Sequence, residues 1–447
     1  GGVVAPPPPP LTTLLDDPLR VLRSVRFAAR LRFGMADELR EAAADPRVRT
    51  ALERKVSRER VGSEVDLMLK SRDPVRALRL LVNLGLIETV FPVPRLEKER
   101  KEERGEQHHN DYGLAYHEGL ALLGATHDHL CDCMADRPGW CESKRALEAG
   151  AVNGLGREET LPLMEDEEAR RLLWYAAFLK PMSRGDAAAN GGGFGGGEDD
   201  DHRKKTRKAK ERTTVHRLLV DELKRPTKEA RSIESIMNAA DEFTELVSSG
   251  HESALAVLLS GARVHHDADD RTSIRCTIDH RTVDPDSERD PVWEHCMEFR
   301  GGCAGTLKRV GHLWRAAFIL SLSEQLVGWQ NHQVEHVVCD AESFRETPEE
   351  VLCGIMKKYD LFAAAMLQMG LVGIWKQRPL LDGGEIKTEA ILPNLPHGPE
   401  FRSIMNAQMQ WMIMHPGGSR ETLVEHLKDI FPDYRASSDE VTSGGRK

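Results

Sequence analysis

The chain has 447 residues, of which 40% are hydrophobic, 30% charged and 5% aromatic, and its formal net charge is −10. That length allows two or three domains, and that apolar share excludes a wholly disordered chain. Overall acidity argues against a uniformly basic nucleic-acid binder, yet residues 18–60 hold 12 Lys+Arg against 6 Asp+Glu, and 203–212 is a second basic run. Residues 1–15 read as a linker, with Pro6 to Pro10 in extended polyproline II. Asp17 followed by Pro18 is a helix-start signature, and it recurs at Asp73 and Pro74 with Gly85 as the stop. Between them Ser57 caps a helix running to about Lys70, with Val61, Val65 and Met68 at helical spacing. Residues 16–94 thus form a set of helices joined by short loops.

Residues 95–185 are less regular, with a charge run at 98–106 and an amphipathic helix at 167–180. The span 186–212 joins a Gly-rich, acidic stretch to the second basic run and reads as a flexible insertion. Helical patterns resume over 213–435, most clearly at 232–248, 306–326 and 348–368, with Gly370 as a C-terminal stop. Residues 265–290 are polar and loop-like, and 436–447 read as a disordered tail. No alternating strand run or fixed-period repeat stands out, so the fold class is all-α. The eight cysteines are scattered, as expected of reduced intracellular thiols rather than a disulfide framework. No apolar run reaches the length of a membrane span, and no signal peptide is visible.

The chemistry concentrates after Asp17. At 100° per residue, Arg20, Arg23, Phe27 and Arg30 fall on one stripe beside Asp17, while Val21, Leu22, Val25, Ala28 and Ala29 fall opposite. Asp17 and Arg20 are three apart and therefore neighbours. A carboxylate beside a guanidinium suits the Watson–Crick edge of cytosine or adenine. It accepts from the exocyclic amine, and the guanidinium donates to the adjacent ring nitrogen or carbonyl. Uracil and guanine would turn a carbonyl towards the carboxylate, leaving an unpaired group at a cost of ~1–3 kcal/mol. The same spacing is equally that of a capped helix with a surface ion pair.

The stretch 15–33, LDDPLRVLRSVRFAARLRF, resembles the neck motif of class II tRNA nucleotidyltransferases, the CCA-adding enzymes and related poly(A) polymerases. The resemblance implies that Asp17 and Arg20 pair with the incoming base. It implies that Asp16, in the place of a frequent Glu and as in plant-like members, supports that site. Arg23 would approach phosphates or stabilise the neck. The segment 56–69, VSRERVGSEVDLML, resembles the next family motif, in which Arg26 of the neck helix, Glu59, Arg60 and Glu64 brace the helices. The segment 72–92 resembles the helix that closes the neck. Weaker similarities run through 168–180, Trp314-Arg315, 373–386, Gln410-Trp411 and His415-Pro416.

Family members carry an α/β head with an Asp-x-Asp metal pair, and here the neck motif begins only sixteen residues in. The resemblance therefore implies neck, body and tail helical domains without the head. Mg2+ would belong to the head of the complete enzyme, and this chain would bind no metal. Asp267-x-Asp269 and Asp284-x-Asp286 have the pair's spacing but sit in a polar loop. His265-His266 with Asp267 lacks the other half of a hydrolase dyad. His127, His129, Cys131 and Cys133 could ligate zinc, but at alternate-residue spacing unlike a finger. The expected function is CCA addition to tRNA 3′ ends from CTP and ATP, this chain supplying base selection and tRNA binding but no catalytic residue. The alternatives are a poly(A) polymerase of the same superfamily and a headless, non-catalytic RNA-binding protein.

Overall fold

Pro10 opens the first helix instead of closing an extended run, because proline needs no N–H at a helix's first position and its fixed φ suits it. Part of the expected linker is therefore helix α1 (Pro10–Asp16). The chain is seen in a computed structural model that describes residues 2–4, 9–92, 111–136, 163, 166–183, 212–259, 291–336, 348–388, 391–396 and 398–434. The fold is all-α, and the described residues hold two two-residue strands, β1 (Val3–Val4) and β2 (Gly34–Met35), paired in parallel. The expected boundaries at 94, 185 and 435 fall outside the described residues, as do the runs at 98–106 and 265–290 and the basic run up to residue 211. Among the described residues no helix is long and apolar enough to cross a membrane.

The described residues fall into two compact units. The first draws on Gly1–Arg137, Leu161–Thr244 and Leu313–Ile355. Its helices α1, α2 (Leu19–Leu31), α3 (Asp37–Ala44), α4 (Pro46–Lys55), α5 (Arg58–Leu69), α6 (Pro74–Asn83) and α7 (Ile87–Val90) follow with short loops. Two of the predicted starts hold: the Ser57 hydroxyl accepts from the Arg60 N–H, and the Asp73 carboxylate from the Arg76 N–H at 3.0 Å. Gly85 ends α6 with φ +66°. The buried face of α2 is Leu19, Val21, Leu22, Val25, Ala28 and Ala29, and it packs on α5 and α6.

Helix α8 (Asp111–Asp136) was not legible in sequence. Its buried positions Ala115, Tyr116, Leu122, Leu123 and Thr126 keep helical spacing, but glycines and histidines interrupt the pattern. One of those glycines is required. A Cβ on Gly119 would lie 2.1 Å from the Phe178 carbonyl oxygen, so α8 meets α9 (Glu167–Leu179) at backbone distance. Gly62 plays the same part on α5, whose Cβ would lie 1.9 Å from the Leu223 carbonyl oxygen. Leu223 ends a π-helical turn, Leu218–Glu222, that continues α10 (Thr214–Arg217).

A buried ionic cluster joins these pieces. Asp66 on α5 accepts from Arg171 of α9 at 2.7 Å and lies 3.1 Å from Arg225 and 2.9 Å from Lys70. Glu229, on α11 (Thr227–Ser248), accepts from Arg171 at 2.9 Å and from Arg225 at 2.7 Å. Burial opposes the charge on Arg171, yet Glu229 and Asp66 outweigh it and raise its pKa. Burial likewise works against the Glu229 carboxylate, but the hydrogen bonds from Arg171 and Arg225 hold its pKa below the ordinary value.

The second unit draws on Glu245–His312 and Met356–Lys447. It contains α12 (Glu252–Leu259), α13 (Pro291–Val310), most of α15 (Pro348–Gln368), α16 (Gly383–Ile386), α17 (Pro399–Met414) and α18 (Arg420–Ile430). A single helix predicted over 306–326 is in fact two, α13 and α14 (Trp314–His336), because Gly311 turns at φ +61° into a short 3-10 segment. Gly370 stops α15 as predicted, with φ +63°. Arg300 is buried and donates to the carbonyls of Ile413 and Met369. The buried Gln408 amide bonds both the N–H and the carbonyl of Leu381. Trp411 stacks on His415 with ring centroids 4.6 Å apart.

Removing Arg171 would leave Asp66 and Glu229 to share Arg225, so Arg171→Ala is expected to cost up to about 3 kcal/mol in urea unfolding. Because the folded pKa of Glu229 lies below the unfolded one, its contribution is complete above about 4.5 and lost as the pH falls below that. Unfolding midpoints across pH 3–6, in the unmodified chain and in Glu229→Gln, measure this: the variant's midpoint should depend less on pH.

Candidate functional site

Asp17 sits between two helices. Its N–H donates to the Thr13 carbonyl at the end of α1, and its carbonyl accepts the Arg20 N–H at 3.1 Å as α2 begins. Lys55 of α4 donates to the Leu15 carbonyl at 2.9 Å and fixes the chain just before the junction. Pro18, with φ −63°, is the residue that caps α2, and no side chain makes a capping bond there. The sequence reading placed Asp17 at the cap. The helix starts one residue later, so the Asp17 carboxylate is not engaged by the backbone. It faces Arg20 instead, with Oδ2 3.7 Å from Nε, Asp17 half-buried and Arg20 exposed. Asp16 is exposed as the last residue of α1.

The next two arginines turn inward. Arg23 and Arg26 each direct Nε at Glu64 of α5, at 3.2 and 2.8 Å, and the Glu64 carboxylate is only 8% exposed. Arg23 keeps 47% of its side chain exposed and Arg26 only 14%, so Arg26 is the structural partner and Arg23 stands half in solvent. The Arg26 guanidinium also lies 4.4 Å above the centre of the Phe27 ring. Phe27 is 41% exposed, on the stripe that carries Arg20, Arg23 and Arg30. The outcome is a surface with one carboxylate, several guanidiniums and an aromatic face. These groups can accept from an amine, donate to ring acceptors and stack on a base.

Glu59 and Arg60 do not take part in this brace. Both are exposed on α5, and neither makes an ion pair among the described residues, because helical geometry turns positions 59 and 60 away from α2. The bracing instead runs through Glu64, Asp66 and Arg58. Arg58 donates to the carbonyls of Thr89, Val90 and Glu222 at 2.9, 2.7 and 3.0 Å, tying α5 to α7 and to the π-helical turn. Its only sequence signal was its place beside the Ser57 cap, which does not distinguish it from a solvated arginine. Arg171, Arg225 and Glu229 had no sequence signal at all, since their partners lie far away in the chain.

No group of carboxylates fit to hold a metal gathers beside Asp17 and Arg20 among the described residues. The Asp267/Asp269 and Asp284/Asp286 pairs and His265–His266 lie outside them. His127 lies in helix α8, with its ring 5.6 Å from that of Trp174. The side chains of His129, Cys131 and Cys133 lie outside the described residues.

Residues 50–96 match a family model described as the probable RNA and SrmB-binding site of polymerase A. That segment includes Arg58, Glu64 and Asp66 but neither Asp17 nor Arg20. The chain is 42% identical over 87 residues to the tRNA nucleotidyltransferase cca2 of Schizosaccharomyces pombe, covering 20% of this chain and 18% of that protein. It is 40% identical over 90 residues to the mitochondrial CCA tRNA nucleotidyltransferase of Saccharomyces cerevisiae, covering 20% and 16%. It is 43% identical over 97 residues to the nucleotidyltransferase lcsQ of Purpureocillium lilacinum, covering 19% and 16%. The match thus spans less than a fifth of the length of these curated relatives. A solved structure described as tRNA-processing enzyme complex 3 aligns over 80% of this chain and 64% of its own, at 11% identity and a TM-score of 0.29, which supports no inference.

Glu64→Ala is expected to destabilise the chain by roughly 1–3 kcal/mol, since Arg26 loses its acceptor in a half-buried position. Arg23→Ala should cost under about 1 kcal/mol, since its side chain stands half in solvent and Glu64 keeps Arg26 as a partner. Urea unfolding of the two variants measures the ordering, and equal costs would contradict it.

Proposed function

We propose that this chain supplies base selection and tRNA binding to a CCA-adding tRNA nucleotidyltransferase of the plant-like, intracellular branch, with CTP and ATP as the nucleotides read. The observation that carries the reading is the Asp17–Arg20 pair: a carboxylate free of capping duty beside an exposed guanidinium, on a helix anchored by Arg26 and Glu64. The short stretches of about 40% identity to tRNA nucleotidyltransferases support the same reading.

In this account the Asp17 carboxylate accepts from the exocyclic amine of cytosine or adenine, and the Arg20 guanidinium donates to the neighbouring ring nitrogen or carbonyl. Asp16 adds negative potential beside Asp17 that favours the amine edge. Arg23, half in solvent, reaches a phosphate or the RNA backbone. Arg26, Glu64 and Asp66 hold the helices, and Glu59 and Arg60 lie on the solvent face of α5. Phosphoryl transfer and its metal ions are assigned to a head domain of such enzymes, and the role of the residues described here is selection of the nucleotide. A poly(A) polymerase is the second reading, favoured by the description of the family model matched at residues 50–96. It predicts a preference for ATP alone.

Equilibrium binding of the four nucleoside triphosphates tests the assignment. The unmodified chain should prefer CTP and ATP over UTP and GTP, and Arg20→Ala or Asp17→Ala should reduce that preference by about 5- to 150-fold. Preference for CTP and ATP that survives both substitutions would contradict base reading by this pair. Binding of tRNA should weaken steeply with salt, as expected where lysines and arginines displace counterions.

A further inference from the structure

We propose that His251, His295 and Glu298 form a divalent metal site in the second unit, and that their donor chemistry fits Zn2+. The inference stands apart from base selection, because these residues belong to the other unit and no motif discussed above includes them.

The three side chains each bring a ligand atom to within 4.8 Å of the others. His251 immediately precedes α12, and its carbonyl accepts the Leu255 N–H at 3.0 Å, which fixes its backbone at the helix start. His295 and Glu298 are three apart on α13 and therefore share a face, with Nδ1 3.7 Å from Oε2. Helix α12 packs against α13, and the two imidazole centroids are 5.7 Å apart. Phe299 lies behind His251, with centroids 6.1 Å apart.

A second observation points to a ligand. His251 is 94% buried, being 6% exposed, and its Nδ1 is buried without a hydrogen-bond partner. Buried polar atoms in native proteins nearly always have a partner, so an orphan of this kind points to an ion or a water. A metal at that nitrogen would satisfy it. An ion pair between His295 and Glu298 explains those two residues but leaves the His251 nitrogen unexplained.

The geometry suits a transition metal. Zn–N and Zn–O bonds of about 2.0–2.2 Å with tetrahedral angles place donor atoms roughly 3.3–3.5 Å apart. Closing from 4.8 Å needs rotation of His295 and Glu298, both of which are exposed and free to turn. Two imidazoles and one carboxylate favour zinc over magnesium or calcium, which prefer oxygen alone. The exposed side leaves a fourth position for water. The bound ion would tie the start of α12 to the first turns of α13.

Isothermal titration of ZnCl2 into the full chain, stripped of metal by a chelator, tests the site. The unmodified chain should take up one zinc at this site. His295→Ala and Glu298→Gln each change an exposed residue and leave the core intact. Each should weaken that binding by more than ~10-fold, the lower end of what losing even a hydrogen-bonding partner behind a metal ligand costs. His127→Ala should leave it unchanged, which separates this site from the histidines of α8. Co2+ in place of zinc should give a visible spectrum that the two variants lose. No zinc uptake by the unmodified chain, or unchanged affinity in His295→Ala, would overturn the proposal.

Discussion

Asp66 and Glu229 share Arg171 and Arg225 in the interior of the first unit, and the placement of the candidate site depends on that exchange. Four charges taken out of water are stable together only because each finds an opposite one at hydrogen-bond distance. Satisfying them requires α5, α9 and the start of α11 to meet at one point. Gly62 lets α5 approach the backbone at Leu223 just before α11, and Gly119 lets α8 close on α9. Arg58 adds a further tie, binding three carbonyls at the ends of α7 and of the π-helical turn and lying 3.5 Å from the Glu222 carboxylate. Helix α5, fixed from below in this way, offers Glu64 on its other side as the anchor for α2.

That anchor divides the arginines of α2 by helical phase. Arg26 points at Glu64 and serves the fold. Arg20 points away from it and stands beside Asp17. Arg23 lies between, bonded to Glu64 but half in solvent. A helix with four arginines within eleven residues would otherwise present a diffuse positive face. Sorting them by phase leaves a defined acceptor–donor pair at its start, next to an exposed aromatic ring. The shift of the cap from Asp17 to Pro18 matters for the same reason, because a carboxylate bonded to the backbone could not also accept from a base.

Much of this was legible in the sequence, for local reasons. Ser57, Asp73 and Gly85 mark helix ends through chemistry confined to three or four residues, and the apolar face of α2 follows from period alone. The Asp17–Arg20 neighbourhood was legible for the same reason. What was not legible is non-local. Asp66 and Arg171 are 105 positions apart, and no spacing rule links them. Glu59 and Arg60 share a motif with Glu64, but Glu64 is the one that meets α2, through Arg23 and Arg26. Helix α8 was hidden because the glycine that allows close packing also lowers its helical signal. The break at Gly311 was hidden because an isolated glycine in a helical pattern can equally be tolerated.

The central claim is that Arg20 touches the base. The Nε–H resonance of Arg20, assigned through Arg20→Lys, reports that contact directly during nucleotide titration. The account predicts that the Arg20 signal shifts on adding CTP or ATP and stays in place with UTP or GTP, while the Arg26 signal, held by Glu64, moves little with any of them. An Arg20 signal that CTP leaves unmoved while other resonances shift would contradict it.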